Sequence, residues 1–521
     1  MIKEGLTHEI DKLFKRWDKP DSPGCALAII KDGNIVYKKG YGIADLEHNV
    51  PNTPKIRFNI GSITKQFTAM CILLLVEQNK ISLDDDVREY LPKFPNYGQT
   101  VTIRHLLHHT SGIRDFAGLY ILKGMVTLES THRPKHEALN IIFKQKELNF
   151  APGEEMFYSN SGYLMLKAII ETVTGKTFRE FAKENIFKPL GMKNTNYVDD
   201  DKYIIKNRAF GYIPDGEKGY FNAMISHKIP GLIYTNVEDF FLWDQNYHDN
   251  KLGKGGQDLI KTMHTLDKLN NGEEVNYAFG LAIGKYKEQK IILHGGGVGG
   301  YDAIYISFPK YKFSVILLAN IPNLMPESLA YKIADIYLEQ FFKPEQTKIS
   351  VDPNIFQNYT GKYYSDSFGI VSISRKSNDL MIETSLRFPP LKLTAESNTS
   401  FFIWKELPNL RITFQKDYYS EFILHEHGKE FKIKRIKSTK LVPEELKGYV
   451  GGYYSEEIDR TYTLIIKNDS LYIANFEMVF AEKDKFLTKW TIFRFKRNNE
   501  GNIEGFNLNA WGVRNLWFKR K

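Results

Sequence analysis

Two stretches near the end of the chain constrain the fold most. YTGKYYSDS begins at Tyr359 and YVGGYYSEE begins at Tyr449. Each is followed by a strand–turn–strand pattern, GIVSISRKSNDLMIE in the first and YTLIIKNDSLYIA in the second. An internal repeat of this kind means one supersecondary design used twice. Each copy spans roughly 85 residues of short, closely spaced strands with alternating aromatics and Gly/Pro punctuation. That pattern predicts two small antiparallel β-barrels over 350–438 and 441–521. The stretch KPEQTKISVDP, from Lys343, reads as the linker that precedes them.

The remaining residues, 1–345, must form a separate domain, because 521 residues are too many for one hydrophobic core. An amphipathic helix is expected over Leu6–Trp17. CALAIIKDGNIVYKKGYG reads as a hairpin, with β-prone runs on either side of Asp32-Gly33. Helical spacing runs from Ile63 to Asn79, and much of 101–250 looks helical and loop-rich. SGYLMLKAIIETVTG is a helix that stops at Gly175, and Thr235 with Glu238 reads as a capping box. YDAIYISF and YKFSVILLAN are strands, followed by a closing helix over Glu327–Phe342. Strands at both ends with helices between them predict an α+β domain. One antiparallel sheet is built from both chain ends, with helices on both sides and a helical insertion.

Composition narrows the class of function. The net charge of +9 comes from 71 basic and 62 acidic residues without a like-charge block. No clustered basic face or recognition module is present, so nucleic acid is not an expected partner. Cys25 and Cys71 sit in apolar runs and read as buried thiols. The first residues lack the apolar core of a signal peptide, and no apolar run approaches a membrane span. The chain as it stands is expected in the cytoplasm, with an exported mature form as the alternative. Barrel edges and aromatic surfaces leave a homodimer open.

Three elements carry chemistry. Ser62 and Lys65, in FNIGSITKQF, lie three apart at the start of the Ile63–Asn79 helix. About two such Ser-x-x-Lys matches are expected by chance in a chain of this size, so the spacing alone is weak evidence. Gly61 permits a sharp entry turn, and the spacing places both side chains on one helix face. A lysine pressed into the protein there can exchange a proton with the serine hydroxyl. Tyr158-Ser159-Asn160 lies between a Pro-Gly turn and a helix. The tyrosine can act as a general base there, or the segment is a helix start with Ser and Asn as caps. His294-Gly295-Gly296-Gly297 precedes a strand. The glycines can bring a backbone N–H to an oxyanion, or they form a flexible loop with a surface histidine. The adjacent pair His108 and His109 lacks further ligands, and no metal or cofactor is expected.

Taken in this order, Ser-x-x-Lys, Tyr-x-Asn and His-x-Gly resemble the motifs of the penicillin-recognising serine hydrolases, which include class C β-lactamases, D,D-peptidases and D-aminopeptidases. The segments LLHHTSGI, PGEEMFYSNSGY and FKPLGMKNT agree, so the resemblance spans roughly residues 5–345. It implies a β-lactamase/transpeptidase-like catalytic domain with Ser62 as nucleophile and Lys65 and Tyr158 sharing proton transfer. His294 would tune Tyr158, Asn160 would position Lys65 and the substrate amide, and the N–H groups of Ser62 and Gly297 would hold the oxyanion. The two following barrels resemble the lipocalin-like tail of D-stereospecific aminopeptidases. That likeness implies a peptidase for D-amino-acid-containing peptides or amides, of the D-aminopeptidase or D-Ala-D-Ala carboxypeptidase type. A broad esterase, an amidase and a β-lactamase are the alternatives, and a slowly turning-over penicillin-binding sensor is the non-enzymatic one. The expected ligands are a small peptide, amide or ester substrate, with β-lactams as acylating ligands. A barrel loop near NFEMVFAEKDKF would restrict the cleft, with Glu477 or Glu482 as an anchor for a substrate ammonium.

Overall fold

The computed structural model describes residues 4–124, 135–200, 203–216, 219–223, 231–342, 349–365, 369–384, 387–403, 407–415, 418–426, 429–436 and 441–521. Most of the expected linker after Lys343, and the boundary expected near residue 438, lie outside them. The chain forms two compact units: Met1–Ile113, Val126–Phe143 and Phe150–Lys343 in the first, and Arg114–Met125, Lys144–Asn149 and Pro344–Lys521 in the second.

A six-stranded antiparallel sheet organises the first unit. Its strands are β1 (Cys25–Lys31), β2 (Asn34–Tyr41), β3 (Ala282–Tyr286), β4 (Gln289–Val298), β5 (Tyr301–Phe308) and β6 (Phe313–Ala319). They run in the order β3-β4-β5-β6-β1-β2. The two chain ends are joined by β1 and β6, which pair from Cys25↔Ala319 to Lys31↔Phe313. Apart from half-buried Lys31, both strands are buried along their length, and they read as apolar runs without alternation for that reason.

On one face, Cys25, Leu27 and Ile29 share a core with Ile10 and Phe14 of the Glu4–Phe14 helix and with Leu329 and Ile333 of the Pro326–Leu338 helix. Alternation leaves Ala26 and Ala28 for the other face, where the Val237–His248 helix packs on β1 and β6. Cys25 and Cys71 are buried free thiols. The Val237–His248 helix corrects one detail. Its cap is Asn236, whose side chain accepts from the Asp239 N–H at 2.8 Å, and not the Thr235–Glu238 pair. Thr235 instead shares a hydrogen bond with Thr195 at 2.6 Å.

The Thr64–Glu77 helix is buried from Thr64 to Leu75. A helix that is apolar on every side belongs inside a protein. Gln66 fixes its rotation by accepting from Trp243 Nε1 at 2.9 Å and from the Tyr247 hydroxyl at 2.7 Å. Thr64 adds a bond from the Ile233 N–H at 3.1 Å.

Each repeat of the second unit closes into an eight-stranded barrel. Strands run from Gly361–Ser365 to Lys429–Arg435 in the first barrel and from Gly451–Ser455 to Val513–Arg520 in the second. The repeated motif is the closure device. Tyr363 pairs with Arg435, and Tyr453 with Arg520, where the last strand meets the first. Each of these buried tyrosines returns its hydroxyl to a carbonyl four residues back, Tyr363 to Tyr359 at 2.8 Å and Tyr453 to Tyr449 at 2.9 Å. The arginines bond the carbonyls that lead into the first strand, Thr360 in one copy and Gly448 and Val450 in the other. Gly361 and Gly451 turn the entering chain at φ +151° and +146°, a conformation other residues rarely adopt.

Two short segments from within 1–345 group with the barrel unit, and a buried ion pair shows why. Arg114, fully buried, donates to Glu457 Oε2 at 2.6 Å, to Gln145 Oε1 at 3.0 Å, and to the carbonyls of Arg514 and Asn515 at 3.0 Å each. The Lys146 N–H adds a 2.7 Å bond to Glu457. Removing one member strands a buried charge, which costs about 3–5 kcal/mol. Arg114→Met is therefore expected to lower the unfolding free energy of the barrel unit, read from denaturant titration, by that much. Arg114→Met combined with Glu457→Met should recover most of the loss, and an additive double variant would contradict the pairing.

Candidate active site

Ser62 sits in a single 3-10 turn, Gly61–Ile63, between the short strand Phe58–Asn59 and the Thr64–Glu77 helix. Gly61 takes φ +50° and donates its N–H to Asn59 Oδ1 at 2.9 Å. This turn lies directly against β4. A Cβ built on Gly296 would fall 2.0 Å from the Ile60 oxygen and 3.0 Å from the Ser62 nitrogen. One built on Gly61 would fall 2.9 Å from the Gly296 carbonyl carbon and 3.0 Å from the Gly297 nitrogen. Backbone meets backbone here because neither glycine has a side chain. The glycines are thus strand residues, with Gly296 opposite Ala303 and Gly297 opposite Asp302, and the flexible-loop alternative does not hold.

One turn along, Lys65 is 7% exposed. Its Nζ donates to Ser62 Oγ at 3.0 Å and to Asn160 Oδ1 at 2.9 Å. The same ammonium lies 4.8 Å from the Tyr158 ring centroid and 5.6 Å from that of Tyr163, within cation–π range. Asn160 opens the Asn160–Thr174 helix, which packs against the Thr64–Glu77 helix and ends at Gly175 in a left-handed cap. Tyr158, just before that helix, keeps 36% of its surface exposed. Ser62 and three residues from a segment about 95 positions further on therefore meet around one amine.

His294 lies near Tyr158, with ring centroids 6.4 Å apart, and its hydrogen bonds involve other groups. Nδ1 lies 2.6 Å from the Gly295 carbonyl and donates to it, which leaves Nε2 to accept from the Tyr277 hydroxyl at 2.8 Å. Burial, reinforced by the Lys65 charge, pushes its pKa down to about 3. The imidazole is thus neutral across the usual pH range and acts as an oriented dipole. Burial likewise pushes the Tyr277 phenol well up, so it stays a donor. The sequence marks Tyr277 by nothing beyond its place in NYAFG, ahead of Gly280. A Cβ on Gly280 would fall 2.6 Å from the Lys65 carbonyl carbon, so this segment presses on the lysine helix.

His108 Nδ1 is engaged with the Tyr277 carbonyl at 2.9 Å. His109, considered from sequence only as a metal ligand, packs its ring on Tyr158 with centroids 4.3 Å apart. Glu477 and Glu482 belong to the barrel unit. Their segment is not a loop but a strand pair, Phe476–Glu482 with Lys485–Leu487, in register from Val479↔Leu487 to Glu482↔Lys485 and anchored by buried Met478, Phe486 and Leu487. Glu482 is ion-paired with Lys485 at 3.1 Å, and Glu477 lines a groove with Lys362, Glu383 and Lys489.

A serine hydroxyl bonded to a buried lysine, an asparagine sharing that lysine, a neighbouring tyrosine and a glycine strand against the serine's backbone together define a serine hydrolase site. The chain belongs to the beta-lactamase family, whose model matches residues 10–338. It is 28% identical to penicillin-binding protein 4* of Bacillus subtilis, over 84% of this chain and all of that one. It is 24% identical to the D-aminopeptidase of Brucella anthropi, over 96% of this chain and 95% of that one. Among solved structures it resembles the octameric penicillin-binding protein homologue from Pyrococcus abyssi, with a TM-score of 0.58 and 26% identity over 83% of this chain and all of the other. No helix among the described residues is long and apolar enough to cross a membrane.

The neutral burial of His294 has a thermodynamic sign. Below its ordinary value of 6.5 the unfolded chain takes up a proton that the folded site refuses, so stability falls as pH drops from 6.5 towards 3. One such proton contributes at most about 1.4 kcal/mol per pH unit. His294→Asn is expected to lose less stability than the parent between pH 7.5 and pH 5 in denaturant titrations. Parallel pH slopes would contradict a buried neutral imidazole.

Proposed function

We propose that Ser62 attacks an amide or ester carbonyl to form an acyl-enzyme, with Lys65 and Tyr158 passing the serine proton to the leaving group. The observation that carries this reading is the Lys65 amine nitrogen held between Ser62 Oγ and Asn160 Oδ1, one hydrogen bond from the serine proton it would exchange. The Ser62 and Gly297 N–H groups hold the oxyanion that develops on the carbonyl oxygen. Asn160 fixes the lysine and meets the substrate amide, and neutral His294 contributes a fixed dipole beside them. Water then cleaves the acyl-enzyme.

The substrate class we favour is a short peptide or amide with an N-terminal D-amino acid. Its support is the match to a D-aminopeptidase along almost the whole of both chains, barrels included. The similarity to a penicillin-binding protein favours a second reading, in which β-lactams acylate Ser62 and clear slowly.

A substrate panel separates the two. D-alanine p-nitroanilide, a D-Ala-D-Ala peptide, p-nitrophenyl acetate and nitrocefin are compared between the parent and Ser62→Ala. Release from the D-alanine anilide is expected, with a loss of at least about 10³-fold on Ser62→Ala. Hydrolysis by Ser62→Ala at the parental rate would overturn the assignment of the nucleophile. A persistent cephalosporoyl adduct from nitrocefin, without anilide cleavage, would favour the second reading.

A further inference from the structure

His109 has no role in the chemistry above, yet it is held in an unusual way. It is 1% exposed and adopts φ +60°, a left-handed conformation uncommon for a residue with a side chain. Such an outlier, kept inside a site, invites a functional explanation. Its contacts converge on one neighbour. The His109 carbonyl accepts from the Phe157 N–H at 2.8 Å, and its Nδ1 accepts from the Ser159 N–H at 3.2 Å. Between those two anchored residues is Tyr158, whose ring packs on the imidazole with centroids 4.3 Å apart and planes inclined at 41°. The opposite surroundings are closed by Tyr163 and Tyr277, at 5.2 Å and 4.5 Å.

The left-handed backbone is what allows both grips at once, because one residue presents its carbonyl and its ring to the same strand of chain. The ring must be neutral for Nδ1 to accept. Burial, together with the charge of Lys65 and the neighbouring His294 and His108, holds its pKa well below the usual histidine value. The proton then resides on Nε2, which has no partner among the described residues.

We propose that His109 is a positioning residue for Tyr158: it clamps the backbone on either side of the tyrosine and backs its ring, so that the phenol is held ready beside Lys65 and Ser62. The proposal rests on the reading of Tyr158 as a proton carrier for Ser62. A tyrosine released from the clamp still folds into the site but spends less time in the productive geometry. Turnover then suffers more than substrate binding. Misplacing a reacting group by about 1 Å costs on the order of 10²-fold in rate.

The test compares His109→Asn, His109→Gly and His109→Ala, with Ser62→Ala alongside, on whichever panel substrate the parent turns over fastest. Asparagine tolerates the left-handed backbone, and its Oδ1 replaces Nδ1 as acceptor. Glycine keeps the backbone but removes acceptor and ring. The alanine variant stands in should the glycine variant not melt cooperatively. His109→Gly is expected to lower kcat about 10²-fold with KM within about threefold, and His109→Asn to recover at least tenfold of that loss. A glycine variant with kcat within threefold of the parent, or an asparagine variant no better than glycine, overturns the clamp. Activity in Ser62→Ala would instead overturn the nucleophile assignment on which the proposal rests, so the two failures are distinguishable.

Discussion

Everything in the site depends on one contact, the backbone of the Gly61–Ile63 turn lying against the backbone of Gly296 and Gly297. The serine comes from the first part of the chain and the glycine strand from a point more than two hundred residues on. The sheet order makes the contact possible. β1 pairs with β6, which brings the N-terminal hairpin beside the C-terminal strands and places the turn that carries Ser62 over β4. A side chain at Gly61 or Gly296 would separate these layers and shift the backbone at Ser62 and Gly297. The lysine, the asparagine and the tyrosine all take their positions from helices and turns that assume this spacing.

Around that contact the polar groups are held by burial as much as by bonding. The Lys65 nitrogen is buried among a hydroxyl oxygen, an amide oxygen and an aromatic face. Histidines nearby are kept neutral by desolvation. The barrels use a different economy of parts. One tyrosine hydroxyl, one glycine and one arginine close each cylinder, and closure removes the edge strands that would otherwise invite pairing with other chains.

The fold was legible where the sequence carries a period or a repeat. The hairpin at Asp32-Gly33, the two apolar strands Tyr301–Phe308 and Phe313–Ala319, the helix ended by Gly175 and the two barrels all follow from such signals. Ser62, Lys65, Tyr158 and Asn160 were visible only as separated motifs, and the structure supplies their meeting in space. What sequence could not convey is contact between distant backbones and the direction of buried hydrogen bonds. His294 lies near Tyr158, and no sequence signal marks the engagement of its ring nitrogens by Tyr277 and Gly295. His109 carries no pattern that separates a clamp from a surface histidine, because its role lies in a backbone conformation. The passage of Arg114–Met125 into the barrel unit was hidden for the same reason: Arg114 and Glu457 pair across 343 positions.

The most direct measurement of this account is the rate at which Ser62 is acylated in Gly296→Ala. The added methyl would overlap the Ile60 oxygen and crowd the Ser62 nitrogen, while leaving Lys65 and Asn160 chemically intact. Rapid-quench mixing with p-nitrophenyl acetate, followed by mass spectrometry of the peptide containing Ser62, reads that rate without relying on turnover. The account predicts acetylation slowed by about 10²-fold or more, as expected when an oxyanion donor is displaced, in a protein whose melting remains cooperative. Acetylation of Ser62 within threefold of the parental rate would contradict it.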